Sequence, residues 1–318
     1  MEDLNLKKWS AFFLILLSFL WLAGCQKDTI VDSQANQSDK QALETIVEND
    51  ESISSFEANY NEGEAMNFGL GKIATQIYPI RVGQKMIRIS KTMDVVFKGD
   101  TAYGKLTTTF DGTLFIVASY SPFITGDSSH VDTLIKKPFT TTIKRNIVFI
   151  RIANTRKPMD NWRIGAVSLP EGGTLTENIE ILKMTVFLAN GDTLVVNSPN
   201  DYFLAINCKR FKHEIPNIYR GDAASVRIEV KSAYADTDFV TLTYGANLQG
   251  LHRNKKKFEL ISQTFDGKYY NRIYEQTYTT HQAIGHYHAV INALPKQVIY
   301  DDSTPVESNT WGIPYIVR

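Results

Sequence analysis

Past residue 92 this chain offers almost nothing but strands. The run MDVVFKGDTAYGKLTTTFDGTLFIVASY, Met93 to Tyr120, is rich in β-branched and aromatic residues. Gly99-Asp100 and Asp111-Gly112 punctuate it, which predicts three strands in a meander. NIVFIRIA, Asn146 to Ala153, is a wholly apolar strand, and NWRIGAVSL, Asn161 to Leu169, alternates, with Trp162, Ile164 and Ala166 on one side. Residues 121–139 are polar and turn-rich and predict a long surface loop. From residue 179 at least seven more strand-like runs follow with turns between them and no helical stretch, the pattern of a two-sheet sandwich.

One earlier segment departs from this. In SDKQALETIVENDESISSFEANYNE, Leu43, Ile46, Val47, Ile53 and Phe56 recur at helical spacing, with Ser38 or Asp39 placed to cap. It is the only helix that the sequence predicts after the N-terminal leader. LPEGGTLTEN, Leu169 to Asn178, holds Pro170, Gly172 and Gly173 and is the expected boundary between two units. The expected fold is therefore mainly β: a small α+β domain over residues 41–170, one helix on a twisted antiparallel sheet, and then a sandwich over residues 171–318. The element order, with GDTAYGKLTTTF followed by NWRIGAVSL, resembles the cystatin-like or nuclear transport factor 2-like α+β fold. Some members of that fold use the concave sheet as a ligand or catalytic pocket.

The N-terminus carries an address. Lys7 and Lys8 precede an apolar stretch from Trp9 to Trp21 that is short for a membrane span. Leu22-Ala23-Gly24-Cys25 then resembles the lipobox of bacterial lipoproteins. The resemblance implies that residues 1–24 are a signal peptide and that Cys25 is acylated and becomes the mature N-terminus. Several acyl chains, at about 0.8 kcal/mol per buried CH₂, anchor where one would not. Lys27-Asp28 is similar to the surface-export signal of Bacteroidota lipoproteins, which carries two acidic residues; here Thr29 follows. The expected location is the cell envelope, at the outer membrane, with its face left open by the incomplete export signal and with residues 25–40 a flexible tether of about 20–25 Å.

With 34 basic and 34 acidic residues the chain has no net field to gather nucleic acid. Cys208 is the only cysteine besides Cys25, so no disulfide is expected.

The densest cluster of chemistry-bearing side chains is HQAIGHYHAV, His281 to Val290. Strand alternation puts His286, His288, Val290 and Asn292 on one side and Tyr287, Ala289, Ile291 and Ala293 on the other. The second, apolar set is the core face, so the histidines should point outward, solvated or bonded to neighbouring side chains. His286 and His288 are the candidates for a metal, but a catalytic zinc wants three protein ligands, and no carboxylate follows at such a spacing. No resident metal and no cofactor are expected. Gly285-x-Tyr287-x-Ala289 resembles the G-x-Y-x-C of immunoglobulin-like domains near the start of strand F. The resemblance implies a tyrosine corner, with the Tyr287 hydroxyl tied to backbone just upstream, and an alanine where antibody domains keep a cysteine.

Three further groups are candidates for binding. Tyr270, Tyr274 and Tyr278 fall on one face of a strand and would make a stacking platform for sugar rings or peptides if exposed. HRNKKK, His252 to Lys257, concentrates positive charge in an expected hairpin loop that would suit anionic lipid or polysaccharide. Asp236 and Asp238 are an acidic pair of the kind that helps ligate calcium. No nucleophile elbow, zincin helix, P-loop or dinucleotide fingerprint is present. No catalytic residue is therefore assigned. The function expected is a non-catalytic binding or assembly module, held to the membrane by its lipid and meeting an envelope protein or polysaccharide. The alternatives are a small-ligand-binding or hydrolytic protein using the first domain's concave sheet, and a polysaccharide-binding surface lipoprotein.

Overall fold

The computed structural model describes residues 29–60, 66–67, 77–121, 131–174, 176–208, 210–245 and 253–318. Cys25 and the apolar leader lie outside them. Among the described residues the chain is mainly β, in two sheets of thirteen and five strands. No helix of these residues is long and apolar enough to cross a membrane.

The expected single helix is two, α1 (Thr29–Asn49) and α2 (Glu51–Tyr60). Asp50 breaks them. Its carboxylate accepts from Ser52 Oγ and its carbonyl accepts from the Ser54 N–H at 3.0 Å, so it starts α2 as a cap does. The expected tether is helical from Thr29. Asp39 is buried and meets Arg151 at 2.9 Å. Docking of Leu43 and Val47 nucleates the helix, and extending it back through polar residues costs little.

The strands follow: β1 (Met66–Asn67), β2 (Tyr78–Lys98), β3 (Thr101–Ser119) and β4 (Thr133–Arg151). The last three, of 21, 19 and 19 residues, are much longer than expected and pair along their whole length. Gly99, at φ +58°, makes the β2–β3 turn as the sequence predicts. Asp111-Gly112 makes no turn and lies inside β3. Gly112 is there because the Phe139 ring covers it; a Cβ would come within 2.5 Å of Phe139 Cζ. The loop expected over residues 121–139 ends early, because β4 starts at Thr133. Lys137 defeats the pattern. Its buried ammonium donates to the carbonyls of Val298 (2.7 Å), Thr304 (2.8 Å) and Asp301.

Next come α3 (Pro158–Asn161), β5 (Trp162–Ser168) and β6 (Glu171–Gly173). Sheet pairing is continuous across the expected boundary. β6 pairs with β4 on one side and with the last strand, β18 (Asn309–Val317), on the other. Gly172 and Gly173 are the corner of a folded sheet. A Cβ on Gly172 would sit 2.1 Å from the Thr142 carbonyl oxygen; one on Gly173, at φ +134°, would sit 2.1 Å from that of Ser308.

The second half comprises β7 (Ile179–Leu188), β8 (Thr193–Val196), β9 (Phe203–Ala205), β10 (His213–Glu214), β11 (Asn217–Ile218), β12 (Ala223–Ser232), β13 (Phe239–Tyr244), β14 (Asn254–Lys257), β15 (Glu259–Phe265), β16 (Tyr270–Thr279), β17 (Gly285–Leu294), the short helix α4 (Gln297–Tyr300) and β18. One face of the sandwich runs β8-β7-β12-β16-β15, and the other β18-β17-β13-β14 with β11 parallel to β18. That is the strand order of an immunoglobulin-like sandwich. Val226, Ile228 and Val230 face Ala289, Ile291 and Ile313 across its core. Each such fully buried aliphatic side chain contributes roughly 1.5–3 kcal/mol. The basic run is a strand from Asn254 rather than a hairpin loop, pairing Thr241 with Lys257; residues 246–252 lie outside the described set. Lys256 Nζ donates to the Thr277 carbonyl and Lys257 Nζ lies over the Phe239 ring, which ties two of its charges to the sandwich.

Candidate functional site

The histidine strand, β17, is where the two halves of the protein meet. Tyr287 faces the sandwich core, and its hydroxyl donates to the Ala283 carbonyl at 3.1 Å, forming the corner. His288 faces the other way, as alternation requires. That second face is not open to water, because α2 lies across it. His288 is 0% exposed, its Nδ1 lies 2.7 Å from Ser55 Oγ on α2, and its ring meets Phe56 edge-on at 5.4 Å. Phe56 also packs with Met86, Phe110, Ile143 and Val290, drawing β2, β3, β4 and β17 to one helix. His288 thus points away from the sandwich core and is bonded to a neighbour, as expected, but it does not meet solvent. An element 233 residues upstream in sequence supplies the cover.

Arg145 lies in the same compartment. It is buried, and its Nε donates to the Ser168 carbonyl at 2.7 Å and its Nη1 to the Ser52 carbonyl at 3.1 Å. Burial lowers its pKa to about 10, against the pull of Asp50. Burial, with Arg145 and His286 adding to it, holds the His288 ring well below the usual histidine range. The pairing of Ser55 with His288 has the types of a nucleophile and its base. Both side chains are fully buried, however, and the adjoining cavity, lined by Phe56, Phe110, Ile143 and Arg145 among others, measures about 20 Å³. That is room for about one water, and neither Ser55 nor His288 lines it.

His286 is half-buried beside His288, and among the described residues no group of three potential ligands gathers that could hold a metal ion. His281 packs edge-on against Tyr287 at 4.2 Å. Cys208 is half-buried, and His213, its nearest candidate base in sequence, stacks on Tyr202 at 4.3 Å.

The tyrosine platform is not formed. Tyr274 and Tyr278 point into the sandwich core, and Tyr270 lies against Phe265 at 4.6 Å. The three do share a face, but it is the inner one, which packs with Tyr287, Ile291 and Tyr315 of the opposite sheet. The acidic pair is divided: Asp238 is buried against Arg272, while Asp236 accepts from Gln297 Nε2 at 2.9 Å.

Among the described residues, two further surfaces stand out. A cleft of about 190 Å³ lies between α1 and β2, with Glu44, Glu48, Lys91 and Thr92 in its wall. Its lysine is already engaged, with Nζ 3.1 Å from both Glu48 and Glu57. The other surface is β15, at the edge of the five-stranded sheet, where all seven residues are exposed.

Neither Ser55 nor Arg145 stands out as functional in the sequence. The one signal is parity: Arg145 shares its strand face with Ile143, Ile147 and Phe149, so a charge is aimed inward. The chain matches no family model and no curated protein.

Proposed function

We propose that this chain is a lipid-anchored protein of the cell envelope, held at Cys25, that works as a non-catalytic binding or assembly module. The observation that carries this is β15. A sandwich edge with Leu260, Ile261 and Phe265 exposed along it is a template for adding a strand from another protein. By contrast, β14, the edge of the other sheet, carries Lys255, Lys256 and Lys257, which discourage such pairing.

The pocket alternative has little support. Leu43, Val47 and Ile53 pack on the long sheet where a concave site would open. The polysaccharide alternative loses its platform, since Tyr274 and Tyr278 are interior.

The test is cross-linking mass spectrometry on intact cells at native expression. Reproducible links from residues 253–279 to one envelope protein are expected, and they should vanish in an Ile261→Lys, Phe265→Lys double variant. A folded, abundant chain with no such links overturns the reading. Cys25→Ser should move the protein out of the membrane fraction; retention there would sink the anchor.

A further inference from the structure

We propose that the segment added to β15 is cationic: an extended stretch of another protein that sets Lys or Arg opposite Glu259 and apolar side chains beside Leu260 and Phe265. The inference rests on reading β15 as an edge that accepts a strand, and it names the chemistry of what arrives there.

The outer face of the five-stranded sheet pairs its charges row by row. Residues directly opposite each other share a face. Tyr274 and Tyr278 are buried in the core, so Glu275 and its cross-strand partners Arg227 and Glu259 point outward. On that face Glu180 of β7 meets Lys231 of β12. Lys183 of β7 meets Glu229 of β12 at 2.9 Å, and Arg227 of β12 meets Glu275 of β16 at 2.8 Å. The outward cations Lys183, Arg227 and Lys231 are thereby all matched. Glu259, the first residue of β15, is left over. It is exposed, lies directly opposite Glu275 and has no ion pair among the described residues. The row from Arg227 through Glu275 to Glu259 therefore ends at the sheet edge on two facing carboxylates, and like charges directly opposite are unfavourable. One more strand puts a residue opposite Glu259, and a cation there restores the alternation.

The other face of β15 adds the apolar half. Leu260, opposite Tyr274, and Phe265, opposite Tyr270, point to the core side. They are nevertheless 40% and 56% exposed, so the opposite sheet leaves them uncovered. Alternate side chains of an added strand would lie beside this ledge and take apolar surface out of water. Ile261 stands out of register, because Leu260 and Ser262 face Tyr274 and Ile273, which are successive residues of β16. Such a bulge twists an edge away from indiscriminate pairing. Backbone hydrogen bonds alone then hold a partner less well, and the side chains at Glu259, Leu260 and Phe265 do the selecting.

Two synthetic heptapeptides test this on the whole protein: Lys-Val-Thr-Val-Thr-Val-Lys, and the same peptide with Glu at both ends. In either strand direction each puts its valines on one face and its charges on the other. Affinity is measured by titration, and backbone amide exchange of residues 259–265 locates the added strand. The lysine peptide should protect β15 and bind about threefold to tenfold more tightly than the glutamate peptide, the effect of one matched rather than like-charged cross-strand pair. Glu259→Lys, a change at an exposed position, should reverse that order. Equal affinities, tighter binding of the glutamate peptide, or an order that Glu259→Lys leaves unchanged overturn the cationic partner, while β15 still stands as an accepting edge. Protection of β15 by neither peptide removes the edge reading and this inference with it.

Discussion

Arg272 and Asp238 form an ion pair with no solvent exposure of either side chain, Nη1 to Oδ2 at 2.8 Å. Nη2 of the guanidinium donates to the carbonyls of Tyr234 and Ala235, and Nε donates to Gln263 Oε1. The carboxylate also accepts from Ser232 Oγ at 2.7 Å and from the Tyr274 hydroxyl at 3.1 Å. The network closes one end of the sandwich by joining β12, β16 and the β12–β13 connection. One member of the Asp236–Asp238 pair is thereby committed to Arg272.

Removing one partner leaves the other charge buried, which costs roughly 3–5 kcal/mol. Asp238→Ala should therefore lower the urea midpoint by that equivalent, while Asp236→Ala, which loses a surface contact, should cost less than about 1 kcal/mol. Equal, small losses for the two variants would show that the buried pair does not organise this end.

The sheet corner admits no side chain. Gly172→Ala forces a Cβ to 2.1 Å from backbone, whereas Gly191, at φ +89°, has open space around it. Gly191→Ala should cost about 1–2 kcal/mol, from backbone strain alone. Gly172→Ala should cost several times more, or abolish folding, because neither neighbouring strand can yield without losing its pairing. Similar melting temperatures for the two variants would contradict the folded-sheet geometry.

Alkali should unfold the protein steeply. Burial raises the pKa of Tyr274, Tyr278 and Tyr315, with Asp238, Tyr244 and Tyr278 respectively adding to it. An acid whose folded pKa lies above its unfolded value keeps its proton longer in the native state. Stability is therefore intact below about pH 10 and falls as pH rises above it, by up to roughly 1.4 kcal/mol per unit for each residue. Tyrosinate absorbance should show these residues ionising together with loss of near-ultraviolet dichroism. Smooth ionisation with the fold intact would argue against their burial.

Much of the second half could be read directly. Gly285, Tyr287 and Ala289 marked the strand that carries the corner, and Tyr287 does reach the Ala283 carbonyl. Alternation placed Tyr287 and Ala289 in the core and Tyr270, Tyr274 and Tyr278 on one face, because a strand's period of two is local. The first half misled where tertiary partners override local signals. Asp111-Gly112 has the composition of a turn, yet Phe139 on the neighbouring strand needs the space. Lys137 looks like loop, yet three carbonyls from the far end of the chain receive it.

The same division holds for the candidate site. By itself the sequence determined which residues share a face, that a helix precedes the sheets, and that charge is balanced, since these follow from neighbours in the chain. Only the tertiary structure decided what covers each face. His288 is on the side opposite the sandwich core, as its position demands, but α2 arrives from the N-terminal region and buries it against Ser55. Solvent exposure is a property of packing between distant segments, and strand periodicity carries no information about a second layer laid on from elsewhere.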